Sequence, residues 1–117
     1  MSEKKMMTDL EWLIDHFPEE AIFYQGRYFQ VKRYDGNHYA LSISEPGPCG
    51  DKTPHPLLKF YYQDHQLAYS YFADFVVSPV VTVSASPENL PFFKEKMVAT
   101  ISEFMAVFPK EERSQNR

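Results

Sequence analysis

The sequence predicts one two-layer α+β domain, in which a mostly antiparallel sheet of about five to six strands is flanked by a short N-terminal helix and a longer C-terminal helix. Apolar residues recur at helical spacing near the two ends of the chain, and short aromatic-rich segments alternate with turn residues between them. A chain of 117 residues fits one hydrophobic core. We therefore expect a single domain over residues 1–117, with flexible ends at residues 1–7 and 110–117.

The first helix is predicted over residues 8–17. Thr8 and Glu11 have the spacing of a capping box, which marks a helix start. The apolar stripe repeats at helical spacing and consists of Leu10, Leu13, Ile14 and Phe17. The acids expected to face outward are Asp9, Glu11 and Asp15.

Two hairpins are predicted next, followed by a long loop. Residues 21–24 and 28–34 flank Gly26, which favours a tight turn, and Asp35-Gly36 leads into a strand over residues 38–44. That strand alternates so that Tyr39, Leu41 and Ile43 face inward. Residues 45–56 contain four prolines and two glycines, which predicts a loop without regular structure.

A second aromatic hairpin is predicted around Asp64-His65, from residues 57–63 and 66–75. On its first strand, Leu58, Phe60 and Tyr62 share a face. On its second strand, the residues expected to share a face are Leu67, Tyr69 and Tyr71. A last strand is expected over residues 80–85.

Ser86-Pro87 is typical of a helix start, but Pro91 allows two alternatives: a separate turn precedes the helix, or Asn89 is its true cap. The helix itself should end before Pro109. Its buried stripe is predicted to comprise Leu90, Phe93, Met97, Ile101, Phe104 and Phe108.

The charge distribution argues against several classes of partner. The net charge is −4, and residues 1–20 hold six acids against two lysines. Because no basic cluster exceeds Lys32-Arg33, we expect neither a nucleic acid nor an anionic membrane as partner. The longest apolar run, residues 75–81, is too short for a membrane helix. The lone Cys49 fits a reducing compartment, so we expect the cytoplasm.

Few residues have the pattern of a catalytic or metal site. Cys49, Asp51 and His55 could bind zinc or form a cysteine nucleophile, but without paired short-spaced ligand motifs we interpret them as ordinary loop residues. No cofactor or metal is expected. Asp74, between aromatic strand residues, fits a general base less well than an edge position or a hydrogen bond to a tyrosine hydroxyl.

The strand tyrosines are the main candidates for binding: Tyr61, Tyr62, Tyr69 and Tyr71. If they are exposed, their rings suit a protein interface, which the acids of the first helix would assist; otherwise they pack on the loop or the sheet edge. The sequence therefore favours a small non-enzymatic protein-binding module of inhibitor, immunity, chaperone or adaptor type.

Two alternatives to that module stay open. One is a small-molecule-binding domain or simple enzyme, with a pocket between the sheet and the C-terminal helix. Its polar lining would come from Asp74, Tyr69, Tyr71 or His38. The other is self-association, as a homodimer that buries an exposed strand or tyrosine face.

Overall fold

The computed structural model describes residues 3–47, 50 and 52–107. One six-stranded antiparallel sheet has its strands in chain order. The strands are β1 (Ile22–Tyr24), β2 (Arg27–Arg33), β3 (His38–Pro46), β4 (Lys52–Gln63), β5 (Gln66–Asp74) and β6 (Val81–Ser84). Helix α1 (Glu3–His16) precedes the sheet, and a 3₁₀ turn (Pro87–Asn89) followed by α2 (Leu90–Val107) comes after it. The predicted α+β architecture is confirmed.

The tight turns lie where the sequence placed them. Gln25 and Gly26 have φ values of 50° and 83°, and Asp64 and His65 have 53° and 63°. Two successive residues with positive φ are typical of the two-residue turn whose twist matches that of a hairpin. These turns connect β1 to β2 and β4 to β5.

Both helices pack on the same face of the sheet, which we call the inner face. The Phe104 ring lies 5.4 Å from Phe29 and 5.3 Å from Phe17, and Phe93 stacks on Tyr69 at 5.5 Å. The predicted stripe of α2 is buried at Phe93, Met97, Ile101 and Phe104. Leu90 was wrongly included in it: it is the first residue of α2 and is 47% exposed.

The first helix begins earlier than predicted, at Glu3 rather than near Thr8. The Thr8 hydroxyl donates to the Lys4 carbonyl oxygen at 2.9 Å, so a residue that resembles a cap lies inside the helix. Asp9 was expected to face outward, but it is 1% exposed. It shares the buried side of α1 with Met6 and Leu13, at positions i, i+3 and i+7.

The irregular loop predicted over residues 45–56 is wrong along most of its length. β3 continues to Pro46 and β4 begins at Lys52, with a register shift between Ser42 and Ser44. β5 pairs with β4 only from Leu57 onward. Before Leu57, β4 therefore forms its strand-pairing hydrogen bonds mainly with β3. Prolines fit a strand where no donor is required, which explains how Pro46, Pro54 and Pro56 lie within β3 and β4. Cys49, Asp51, Phe108, Pro109 and the end segment 110–117 lie outside the described residues.

Of the two alternatives at Pro91, a separate turn precedes the helix. The Ser86 N–H donates to Asn89 Oδ1 at 2.8 Å, which closes the 3₁₀ turn. Pro91 is then the second residue of α2, where its missing N–H costs no helical hydrogen bond. Within the described part of the chain, no helix is long and apolar enough to cross a membrane.

Candidate functional site

A register shift between Lys59 and Phe60 divides the strand tyrosines between the two faces of the sheet. Tyr69 pairs with Phe60 on the inner face, whereas Tyr71 pairs with Lys59 on the opposite face, which we call the outer face. The prediction that Tyr71 shares a face with Leu67 and Tyr69 is therefore wrong, because one extra residue reverses the alternation along β5.

Tyr62 and Tyr69 are part of the packed inner layer. The Tyr62 hydroxyl donates a hydrogen bond to the Glu11 carboxylate, and Tyr69 stacks on Phe93. Burial, with the hydrogen bond to Glu11 as second cause, raises the pKa of Tyr62 to about 12. Burial likewise raises the pKa of Tyr69 to about 12. Both side chains thus connect the sheet to the helices on its inner face.

The three acids proposed for binding lie in different environments. Asp9 is buried and forms an ion pair with Lys5 at 3.2 Å. Glu11 accepts hydrogen bonds from Tyr62 and, at 2.6 Å, from His65 Nδ1, and these two bonds lower the pKa of its carboxyl. Asp15 is exposed. Because α1 packs on the inner face, these acids do not form one surface with the tyrosines of the outer face.

The outer face carries an ordered set of aromatic and basic side chains. The His38 ring stacks on Tyr61 at 4.2 Å and also contacts Tyr34 at 5.2 Å. The Lys59 ammonium lies over two rings, 5.4 Å from the centre of Tyr34 and 5.6 Å from that of Tyr71. We call these five residues together with Tyr28 and Lys52 the tyrosine–lysine array.

The far end of the array lies across β2 and the start of β4. Lys52 places its ammonium 4.4 Å from the centre of the Tyr28 ring, whose other neighbour is Phe23 at 4.8 Å. Between the two ends, the small residues Ala40 and Ser42 of β3 are buried among larger neighbours, which include Gln30 and Leu57. The array is thus a set of ring and ammonium contacts on either side of these residues.

The outer face contains no acidic side chain among the strand residues that the structure describes. Its basic strand residues are Lys32, Lys52 and Lys59, which pair across the ladders with alanine, proline, tyrosine and other neutral residues. A chain with net charge −4 therefore presents one basic face. Net charge summed over successive segments of the sequence does not reveal this basic face. Net charge summed over alternate strand positions would have revealed it, because alternate residues share one face of a sheet.

A second polar constellation lies on the inner face, below α2. The His55 Nδ1–H donates to Asp74 Oδ1 at 2.7 Å, and His55 Nε2 lies 3.9 Å from Glu45 Oε2. The two residues help to line a cavity of about 210 Å³, beside the Arg27–Glu103 ion pair. His55 is thus a half-buried strand residue rather than an ordinary loop residue, and Asp74 binds a histidine rather than a tyrosine hydroxyl.

No metal centre is formed by the described residues, among which there is no group of three or more histidine, cysteine and acidic ligands. Cys49 and Asp51, which the sequence placed with His55 in a possible zinc or nucleophile site, lie outside that part of the chain. The arrangement that the structure does show, an imidazole oriented by a carboxylate, is suited to accepting or donating a proton at Nε2.

An apolar tip lies where β5 leaves the sheet. Four consecutive or nearly consecutive apolar side chains are exposed there: Phe75, Val76, Val77 and Val80. The Phe75 N–H donates to the Pro54 carbonyl oxygen at 3.0 Å, which holds the tip beside the start of β4. Exposed apolar clusters of this kind are typical of interaction surfaces.

Comparisons with known proteins found no matching family model, no matching curated protein and no matching solved structure.

Proposed function

We propose that the protein is a small cytoplasmic, non-enzymatic module of inhibitor, immunity, chaperone or adaptor type that binds another protein through the outer face of its sheet. The observation that carries the proposal is that both helices lie on the inner face, while the outer face presents the tyrosine–lysine array. A large ordered aromatic surface that the fold itself leaves uncovered is suited to a partner.

The array is organised before any partner arrives. Tyr61 is 47% exposed, yet its ring is held against His38, and Lys59 fixes the rings on either side of it. Side chains that are already restrained lose less conformational entropy on binding, so more of the contact energy appears as affinity. Tyrosine adds contact area and a hydroxyl that can bond at a wet rim.

Exposed apolar residues next to the array favour a protein over other partners. Phe23 is 57% exposed and contacts the Tyr28 ring at one end, and the apolar tip lies beside the start of β4. Interfaces between proteins combine such apolar anchors with tyrosine and a polar rim. The single cysteine, which cannot form a disulfide within the chain, supports a reducing compartment such as the cytoplasm.

The test compares tyrosines on the two faces. Proteins captured from a native host lysate by the parent chain are identified and purified, and their binding kinetics are measured against Tyr61→Ala and Tyr71→Ala. We expect each substitution to speed dissociation and to cost about 2 kcal/mol, as interface anchors do. Tyr24→Ala is the matched control, because Tyr24 is 39% exposed but pairs with Arg27 on the inner face. Unchanged affinity in both outer-face variants would overturn the proposal.

A second candidate function is binding of a small anion, or simple acid–base chemistry, in the cavity below α2. The observation that favours it is the His55–Asp74 pair, which shares this cavity with Lys96 and with Arg27, whose guanidinium also pairs with Glu103 at 2.8 Å. At about 210 Å³ the cavity is smaller than most ligand pockets and would take only a phosphate- or acetate-sized group. Titration with inorganic phosphate and acetate, followed by NMR, tests it: binding should vanish in His55→Gln and persist in Tyr61→Ala.

A further inference from the structure

The charges of this protein are separated by the sheet. The acids of α1 lie on the inner side, whereas the outer face carries Lys32, Lys52 and Lys59 without an acidic strand residue among those described. A partner that approaches the outer face meets ammonium groups and tyrosine hydroxyls but no strand carboxylate. Complementary charge is what selects such a partner and speeds its association.

We propose that the partner presents an acidic, extended protein segment that lies along the outer face, with its carboxylates between the lysine ammonium groups and the tyrosine hydroxyls of the array. This inference rests on the proposed function and names the chemistry of the partner. Lysine donors and phenol hydroxyls both bond to carboxylates, and an ammonium that already lies over a ring keeps free N–H donors on its outward side.

The geometry of the array fits a segment that makes several spaced contacts. Lys59 lies between Tyr34 and Tyr71 in the middle of the face, and Lys52 lies over Tyr28 toward its far end. Lys52 and Lys59 are seven residues apart on β4. An extended chain directs alternate side chains to the same side, so a segment that runs along this strand could place different carboxylates at the two ammonium groups.

The same contacts argue against a single-stranded nucleic acid on this face. Base stacking requires free ring faces, but Tyr28 contacts both Phe23 and Lys52, and Tyr34 contacts both His38 and Lys59. Tyr28 and Tyr34 therefore have less ring surface available for a base, whereas their hydroxyl groups suit carboxylates.

A second copy of this chain is also a poor occupant. The acids of α1 lie on the inner side of the sheet, so they could reach the outer face of a neighbour only in a contact between two different faces. Contacts between two different faces are head-to-tail and generate an open chain of copies unless the rotation closes a ring. Measuring the mass of the protein in solution tests this directly. If the chain forms concentration-dependent polymers that dissociate in Lys59→Glu, the occupant of the outer face is a second copy and not an acidic partner.

The experiment reverses charges on the outer face and follows binding of the captured partner. Lys59→Glu and Lys52→Glu should each weaken binding about tenfold, mainly by slowing association, and should flatten its salt dependence. Lys94→Glu is the matched control, since Lys94 is an exposed lysine on α2 that pairs with Glu3 at 3.5 Å. Circular dichroism and thermal melts confirm that each variant is folded. A Glu→Lys change in the partner's segment should restore binding to Lys59→Glu.

A defined probe decides the question if the lysate yields no partner. A labelled peptide of alternating glutamate and leucine should bind the parent chain at low salt, and its glutamine counterpart should not. Lys59→Glu should abolish that binding, and Lys94→Glu should not change it. Equal binding of both peptides, no binding of either, or preference for single-stranded oligothymidine over the glutamate peptide would overturn the inference.

The outcomes separate this inference from the function on which it rests. If Tyr61→Ala weakens binding of a captured protein but the lysine reversals do not, the outer face binds a protein that is not acidic, and only the inference fails. If neither set of variants changes binding of that protein, the proposed function fails with it.

Discussion

The Tyr62 hydroxyl donates a hydrogen bond to the Glu11 carboxylate and thereby ties α1 to the β4–β5 hairpin. His65, in the hairpin turn, donates to the same carboxylate oxygen at 2.6 Å. The two bonds lower the pKa of Glu11, and the carboxylate in turn raises the pKa of His65. The acid that the sequence assigned to a partner is therefore used to join two distant parts of the chain.

Replacing Tyr62 by phenylalanine tests that junction. Because the hydroxyl bonds to a charged but partly exposed acceptor, Tyr62→Phe should lower the free energy of unfolding by about 1 kcal/mol at pH 7. A carboxyl with a lowered pKa stabilises the fold fully above its unfolded pKa, and this stability is lost as the pH falls. The difference between parent and variant, measured by urea unfolding, should therefore shrink below the ordinary glutamate pKa of 4.5.

Tyr61→Phe is the control for this prediction, since the Tyr61 ring lies on the outer face and stacks on His38. It should unfold as the parent does at both pH values. A Tyr62→Phe deficit that is equally large at pH 7 and well below pH 4.5 would show that the lost stability comes from packing rather than from the bond to Glu11.

At alkaline pH, ionisation of Tyr62 and Tyr69 should limit the stability of the fold. Both have pKa values raised to about 12, against an ordinary value of 10. A raised pKa means that the stabilisation is fully present below pH 10 and is lost as the pH rises through 12. Burial also raises the pKa of Tyr34. Ultraviolet titration should show late tyrosine ionisation that accompanies unfolding, and its amplitude should fall by one tyrosine in Tyr69→Phe. Ionisation of all eight tyrosines near pH 10 with the fold intact would contradict this.

Local sequence patterns predicted the helices, strands and turns better than they predicted the face of the sheet on which each side chain lies. Turn residues with positive φ, such as Gly26, and the stripe around Ile101 identified the hairpins and the packing of α2, because each signal lies within a few residues. The register shift beside Lys59 adds one residue to the opposite strand, and nothing in either strand alone reveals that mismatch. The side of the sheet on which Tyr71 lies thus depended on pairing between strands.

The same limit applies to the polar residues. Asp9 and Asp15 look alike in sequence, and only the packing of α1 against the core decides which is buried. His55 was assigned to a loop because four prolines surround it, although β3 provides a partner strand for that stretch. Charge counted along the chain likewise concealed the basic outer face, since lysines that lie far apart in sequence meet on one face.

Asp9 and Asp15 should therefore respond differently to substitution. Asp9 is 1% exposed and paired with Lys5, so Asp9→Ala should lower the free energy of unfolding by about 2 kcal/mol, as the loss of a buried polar contact does. Asp15→Ala, at an exposed position of the same helix, should stay within about 0.5 kcal/mol of the parent. Chemical denaturation measures both. Equal and small effects would mean that Asp9 faces solvent, as the sequence pattern suggested.

The last prediction concerns His55 and Asp74, whose 2.7 Å hydrogen bond supports the second candidate function. In a double-mutant cycle of His55→Ala and Asp74→Ala, we expect a coupling energy of about 1 kcal/mol. Asp74→Ala alone should cost more than His55→Ala, because Asp74 Oδ1 also accepts the Val76 N–H at 3.1 Å. The coupling energy is the effect of the double variant minus the effects of the two single variants, so the bond from Val76 does not contribute to it.

Glu45→Gln provides the comparison within the same cluster. Its carboxylate oxygen lies 3.9 Å from His55 Nε2, which is too long for a hydrogen bond, and both side chains are more than 30% exposed. The substitution should change the free energy of unfolding by no more than a few tenths of a kcal/mol. If the His55–Asp74 coupling were no larger than that, the carboxylate would not hold the imidazole. Nε2 would then lack the fixed orientation that proton transfer in the cavity requires, and the outer face alone would be left as the functional surface.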